Sequence, residues 1–313
     1  MKLTFDQICR LTVGAVTIEE DGAGIHFQRY TSAQLAAFEK EARCFYKRGM
    51  HTCGIRIDFT TDASNLTVSV GSEGKYEVLL DGLTAFWQVF TEPGTFTLPL
   101  TSGTHRVTIV LPSHFPGVIR SVELDDGASV TPVEYPCRII FYGDSITQGW
   151  NSEKDSQSYA WLVTRYYDAE SMILGVGGAN FYPTTVLDNG FDPDIVIAAL
   201  GTNDYCGEFT AEEIYNACRS YLDRLCDLYP NKQKFYITPI WRADGADVYG
   251  AGNLEDVRQF IAKEAEKRNF TVIDGYTLIP HRTEYFADEF LHPNDIGFAL
   301  YAQNLIKALD KYL

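Results

Sequence analysis

Residues 138–150 read Arg138-Ile139-Ile140-Phe141-Tyr142-Gly143-Asp144-Ser145-Ile146-Thr147-Gln148-Gly149-Trp150. The unbroken apolar run at 139–142 suits a strand covered on both faces, and the glycines at 143 and 149 bracket a tight turn. Ser145 stands just beyond the run, so its hydroxyl is expected at the carboxyl edge of a sheet, where open α/β folds keep their ligand crevices. The backbone N–H groups of the helix that follows are expected to point at whatever the serine attacks. The motif is not the Gly-x-Ser-x-Gly elbow. Taken alone, a serine before an apolar run could equally serve as a helix cap.

Working outward, the strand-then-glycine junction recurs. Ser171-Met172-Ile173-Leu174 runs into Gly175-Val176-Gly177-Gly178-Ala179-Asn180, and Ile195–Leu200 into Gly201-Thr202-Asn203-Asp204. Residues 234–238 and 270–274 read as further strands. Thr210 with Glu213 forms a capping box, after which Ile214, Cys218, Tyr221, Leu222, Leu225 and Leu228 mark one face at helical spacing. Leu254–Arg268 and Phe298–Leu309 read as two more amphipathic helices. Strands alternating with helices predict a parallel sheet covered on both faces.

The pattern changes near residue 133. Before it, Gly54–Thr60, Asn65–Val70, Tyr76–Leu80, Thr95–Leu100 and His105–Leu111 are short strands, several with alternating apolar and polar residues and with turn residues between them. Asp81-Gly82 is a hairpin signal. Such strands at regular spacing predict an antiparallel β-sandwich over residues 1–133. One exception is Ser32–Tyr46, where Leu35, Phe38 and Ala42 predict one face of a short helix. The segment Pro132–Pro136 is the expected linker, kept extended by its prolines, and residues 134–313 form the second domain.

Near the C-terminus stands Asp288-Glu289-Phe290-Leu291-His292-Pro293-Asn294. With the junctions at Ser145, Gly175–Asn180 and Gly201–Asp204, this segment resembles the signature blocks of the SGNH (GDSL-type) hydrolases, in the same order, over roughly residues 135–313. The resemblance implies a flavodoxin-like three-layer α/β/α fold, with Ser145 as nucleophile and His292 as general base. It implies an oxyanion hole from the N–H of Ser145, the N–H of Gly178 and the side-chain amide of Asn203, with Gly175 and Gly177 as competing middle donors. The chemistry agrees. A serine needs an adjacent imidazole to take its proton, and fixed donors aimed at the developing oxyanion are usually the largest catalytic term.

At one place the chain departs from the family pattern, which puts an aspartate three residues before the histidine. Here that position is Glu289, and Asp288 lies four before. Three possibilities stay open: Asp288 reaches His292 through a one-residue bulge, Glu289 orients the ring, or a backbone carbonyl does so in a Ser–His dyad. Asp288 is preferred because a glutamate so near would have to fold back. A β-sandwich that is jelly-roll-like, placed ahead of such a domain, further resembles the second family of carbohydrate esterases. That implies hydrolysis of a small O-acyl group, acetyl foremost, on a sugar. Asp144, Trp150 and Trp241 are then candidates for substrate contact, the tryptophans as stacking platforms. A lysophospholipase or thioesterase, and a non-catalytic carbohydrate-binding protein, are the alternatives.

Composition narrows the setting. The formal charge is −16, from 26 basic and 42 acidic residues, which argues against nucleic acid or an anionic membrane as partner. Of the six histidines, His26, His51, His105, His114 and His281 show no metal-ligand spacing, and the seven cysteines form no Cys-x-x-Cys pair. No metal and no cofactor is therefore expected. Cys206, just past the Gly-Thr-Asn-Asp block, is expected to be a partly buried free thiol. An odd cysteine count and a start without the apolar run of a signal peptide point to a cytoplasmic protein. The partner expected is a small-molecule or oligosaccharide ester.

Overall fold

The computed structural model describes residues 1–313. Its N-terminal part is a pair of antiparallel sheets. One runs Thr12–Val13, Arg56–Thr61, His105–Val110, Gly74–Leu80, Leu83–Phe90, with Thr131–Pro132 added on Arg56–Thr61. The other runs Thr17–Asp21, Gly24–Gln28, Val118–Leu124, Asn65–Val70, Gly94–Pro99. Alternation does the folding here. In Asn65–Val70 the residues Leu66, Val68 and Val70 are buried and their neighbours are not, so one face meets Ile57, Phe59, Val107 and Ile109 of the other sheet. Asp81 (φ 50) and Gly82 (φ 81) make the expected turn between Gly74–Leu80 and Leu83–Phe90; both central residues need a positive φ, which matches the twist of the paired strands.

The C-terminal part is a five-stranded parallel sheet. In chain order its strands are Arg138–Gly143, Glu170–Gly175, Ile195–Ala199, Gln233–Ile237 and Thr271–Ile273, and they lie side by side in the order 2-1-3-4-5. That is the flavodoxin-like arrangement, with its switch point beside the first strand. Ile140 and Tyr142 face one core while Ile139 and Phe141 face the other, which is why the run had to be apolar without interruption. Helix Ala211–Leu228 covers the first face through Ile214, Cys218, Tyr221, Leu222 and Leu225. Helices Tyr159–Tyr166 and Asp295–Leu309 cover the other. No helix is long and apolar enough to cross a membrane.

The expected single helix at 32–46 is two. Ala42 takes extended backbone (φ −166, ψ 147) and separates Ser32–Glu41 from Arg43–Gly49. Ala42 is a good helix former, so its own propensity does not account for the break; beyond it Phe45 packs against Tyr182 with ring centroids 5.3 Å apart and planes tilted by 55°. Cys206 also departs from expectation, being exposed. The two parts share structure. Buried Arg29 donates to the carbonyls of Ile173 (2.9 Å) and Gly175 (2.7 Å). Arg56 donates to Ser171 Oγ (3.1 Å) and the Ala169 carbonyl (2.8 Å), and Glu77 accepts from the Ser156 N–H and hydroxyl. Tyr135 in the linker donates to Asp58 at 2.6 Å.

Candidate active site

Ser145 opens a helix of only four residues, Ser145–Gln148, so the donors offered to a ligand are single amides and not the end of a long helix. Packing fixes the turn. A Cβ at Gly143 would stand 1.9 Å from Thr147 Oγ1, and Gly149 takes φ +85 to end the helix. Asp144, a candidate for substrate contact, is instead 3% exposed and caps this helix by accepting from the Ile146 N–H at 2.9 Å. Burial pushes its carboxyl up to about 6, against the pull of that N–H and of His292.

His292 reaches the serine from the far end of the chain. Its Nε2 lies 2.8 Å from Ser145 Oγ, and its Nδ1 lies 2.6 Å from Asp288 Oδ2. Asp288 Oδ1 accepts three backbone N–H bonds, from Phe290 (3.0 Å), Leu291 (2.8 Å) and His292 itself (3.0 Å). Burial alone would raise this carboxyl, but those bonds and the imidazole outweigh it and hold it below the usual carboxylate range. An ionised carboxylate only accepts, so Nδ1 carries the ring proton and Nε2 is left to accept from the serine hydroxyl. Glu289 is exposed and takes the left-handed conformation, φ 55. That kink folds the chain around the carboxylate of Asp288 and turns the Glu289 side chain outward. The loop closes at its base where Phe286 bridges Pro293 and the Ala287 N–H donates to the His292 carbonyl at 2.8 Å.

The glycine run separates its three candidate donors. Gly175 ends its strand where an added Cβ would meet the Gln148 backbone nitrogen and the Thr147 carbonyl carbon, leaving no room for a side chain. The N–H of Gly177 donates to Gln148 Oε1 at 2.8 Å. The N–H of Gly178 meets no protein acceptor, and its φ of +77 is a left-handed conformation that glycine adopts freely. Asn203, in the turn Thr202–Tyr205, donates one amide hydrogen to the Ala179 carbonyl at 2.9 Å; the second remains for a ligand.

Several participants were silent in the sequence. Buried Gln148 also donates to the Ser113 carbonyl (2.7 Å) and lies 3.1 Å from His51 Nδ1. His51 accepts there as a neutral ring, because burial and then Arg29 push its pKa down to about 3. Asp204, directly after Asn203, is buried, accepts from the Phe181 N–H at 3.0 Å, and is pushed by burial up to about 7. Trp150 lies at the site: its ring centroid is 6.4 Å from that of His292 and 5.0 Å from His114. Trp241 stacks on His281 and packs against Phe286 at the base of the histidine loop. A cavity of about 950 Å³ lies away from these residues, between the sandwich and two helices, with Arg106, Trp161, Arg165, Tyr166 and Ile306 in its wall.

Comparison with known proteins follows the same outline. A model of the GDSL-like lipase/acylhydrolase family matches residues 141–300. Comparison with curated proteins by sequence finds no match. Among solved structures, the salicylyl-acyltransferase SsfX3 from a tetracycline biosynthetic pathway is similar with a TM-score of 0.83 at 19% identity, covering 96% of this chain and 94% of that one. A family two carbohydrate esterase from Cellvibrio japonicus is similar with a TM-score of 0.66 at 16% identity, over 96% and 94%. Another, from Clostridium thermocellum in complex with cellohexaose, reaches 0.62 at 18% identity, over 83% and 93%. At these identities the likeness is one of fold.

Proposed function

The chain belongs to the GDSL-like lipase/acylhydrolase family, and from that premise we propose that it is a serine esterase removing a small O-acyl group, acetyl foremost, from a carbohydrate. The observation that carries this reading is the unbroken relay Asp288–His292–Ser145, with contacts of 2.6 Å and 2.8 Å. Ser145 Oγ attacks the ester carbonyl carbon as its proton passes to His292 Nε2. The carbonyl π pair moves onto oxygen, where the N–H groups of Ser145 and Gly178 and the free amide hydrogen of Asn203 are the proposed donors. Collapse expels the sugar oxygen, which takes the proton from His292, and leaves acyl-Ser145. Water then attacks with His292 as base, and the carboxylic acid leaves. Asp288 holds the imidazole in the working tautomer throughout.

Sugar as the alcohol is supported by the carbohydrate esterases that share the fold and by the ring of Trp150 beside His292. The seven unpaired cysteines fit a cytoplasmic setting. One observation favours a second reading: the similarity to an acyltransferase over nearly the whole of both chains. In that case an alcohol, not water, takes the acyl group from the same intermediate. The test is turnover of p-nitrophenyl esters of rising acyl length and of acetylated oligosaccharides, repeated with added alcohol acceptors. Acetyl is expected to be the fastest acyl group. Faster octanoyl than acetyl release overturns the small-acyl reading, and ester products dominating over free acid at millimolar acceptor select the transferase.

A further inference from the structure

The peptide between Gly177 and Gly178 has a glycine on each side, which leaves its plane less constrained than that of any peptide between residues with a Cβ. It is also the peptide whose N–H is the proposed oxyanion donor. A trans peptide is planar with its C=O and N–H pointing in opposite directions, so whatever holds the Gly177 carbonyl aims the Gly178 N–H. Arg48 Nη1 donates to that carbonyl at 2.5 Å. The guanidinium fills the space outside Gly178, where an added Cβ would come within 2.8 Å of Nη1. Its Cζ stands 5.9 Å from the centroid of Trp150, and it forms no salt bridge within 4.0 Å. Gly177 is fixed from its other side by Gln148 Oε1 and by the Trp150 ring, whose Nε1 would meet a Cβ there at 2.6 Å.

The backbone that carries Arg48 is itself tied to this loop. Arg48 sits in the last turn of helix Arg43–Gly49, and its own carbonyl accepts from Arg29 Nη2 at 3.0 Å. The same Arg29 grips the carbonyl of Gly175, the strand end from which the glycine run departs.

We propose that Arg48, from the N-terminal part of the chain, is a positioning residue of the oxyanion hole, acting through the Gly177–Gly178 peptide. This rests on the esterase reading above. The charge-assisted bond to the carbonyl is about twice as strong as a neutral one, enough to hold one orientation of a glycine-flanked peptide. It also polarises the amide, making its N–H a better donor by about 10–30%. The guanidinium does not touch the reacting atoms. Its effect is on the transition state, where the N–H meets negative charge, and much less on ground-state binding.

The experiment compares wild type with Arg48→Met, which keeps the stem and removes charge and donor, and Arg48→Lys, which keeps both. Hydrolysis of p-nitrophenyl acetate, the rate of Ser145 labelling by a fluorophosphonate, and inhibition by phenylboronic acid are measured on each. Arg48→Met is expected to lower kcat by about 10–100-fold, below the cost of losing a donor outright, with KM within about twofold. Labelling slows and the boronate Ki rises by a similar factor, while Arg48→Lys returns to within about fivefold of wild type. Unchanged kcat, a raised KM at unchanged kcat, or an unchanged boronate Ki in Arg48→Met overturns the proposal. If Arg48→Met melts below the assay temperature, Arg48→Leu, which also lacks charge and donor, is read by the same criteria. A wild type that neither hydrolyses the ester nor labels at Ser145 overturns the esterase reading and this proposal with it; labelling at equal rates in wild type and Arg48→Met overturns this proposal alone.

Discussion

The serine turn and the histidine loop bring their residues to the same 2.8 Å contact by different physics. The turn around Ser145 is buried from Ile139 to Gly149 and shaped by packing: Gly143 has no room for a Cβ against Thr147, and Gly149 none against Ser158. The loop around His292 is exposed from Ala287 to Phe290, and one carboxylate organises it through three backbone bonds and the imidazole. The two aspartates show the contrast. Asp144, in the turn, carries its charge against burial and has its carboxyl pushed up. Asp288, in the loop, has its charge stabilised by hydrogen bonds and its carboxyl held low. A turn held by close packing tolerates no change of shape, and a loop held by a charge tolerates no loss of that charge.

The largest effect expected is at the nucleophile. Ser145→Ala should lower turnover by on the order of 10⁴–10⁶ with an unchanged melting temperature, because only the reacting atom is lost from a turn that packing still holds. Retention of more than a few per cent of wild-type kcat on p-nitrophenyl acetate breaks the assignment. Next comes the pair in the loop. Asp288→Asn should cost about 10⁴ in kcat, since an amide presents a hydrogen where the Nδ1 proton needs an acceptor. Glu289→Gln should stay within about twofold, its side chain being turned outward. The reverse order would place Glu289 behind His292, and near-wild-type rates in both would leave a Ser–His dyad.

The smallest effect separates the two aspartates by sign. The folded state raises the Asp144 carboxyl to about 6, so it binds the proton more tightly than the unfolded chain does. Stability from this group is full below the ordinary carboxylate range and falls as pH rises through 6. Asp144→Asn keeps the cap and should therefore raise Tm by about 2–4 °C at pH 8, a gain that fades by pH 4. For Asp288 the folded carboxyl is lowered, so its contribution is present at neutral pH and lost as pH falls below the ordinary carboxylate range. Asp288→Asn should lower Tm at pH 7, and the deficit should shrink in acid. Thermal melts of both variants against wild type from pH 3 to 8 check the signs; parallel curves would erase the distinction.

Much of the molecule was legible from residue order. The parallel sheet was readable because a strand covered on both faces must be apolar at every position, as in Ile139–Tyr142. Several sandwich strands were readable because a strand covered on one face alternates. Of the strands that went unread, Thr17–Asp21 and Leu83–Phe90 lie at sheet edges and are largely exposed, so burial imposed no pattern on them; Gly24–Gln28 and Val118–Leu124 also went unread, although both lie inside their sheet and bury residues. At the site, Ser145, Gly178, Asn203 and His292 were named from short blocks. Asp144 was misplaced because a buried cap and a substrate contact look alike in sequence.

The sequence by itself determined the strands of the parallel sheet, several strands of the sandwich and the later amphipathic helices, since those follow from spacing and from the backbone freedom of a few glycines. Only the tertiary structure decided between Asp288 and Glu289, through a left-handed backbone at Glu289 that no spacing rule demands. It also decided that the helix at 32–46 breaks at Ala42, and that Arg48 meets a carbonyl 129 residues away. The physical reason is common to these cases. Local energies of a few tenths of a kcal/mol per residue set the elements, but a kink, a break or a long-range bond is chosen by packing and hydrogen bonds between segments that are strangers in the sequence.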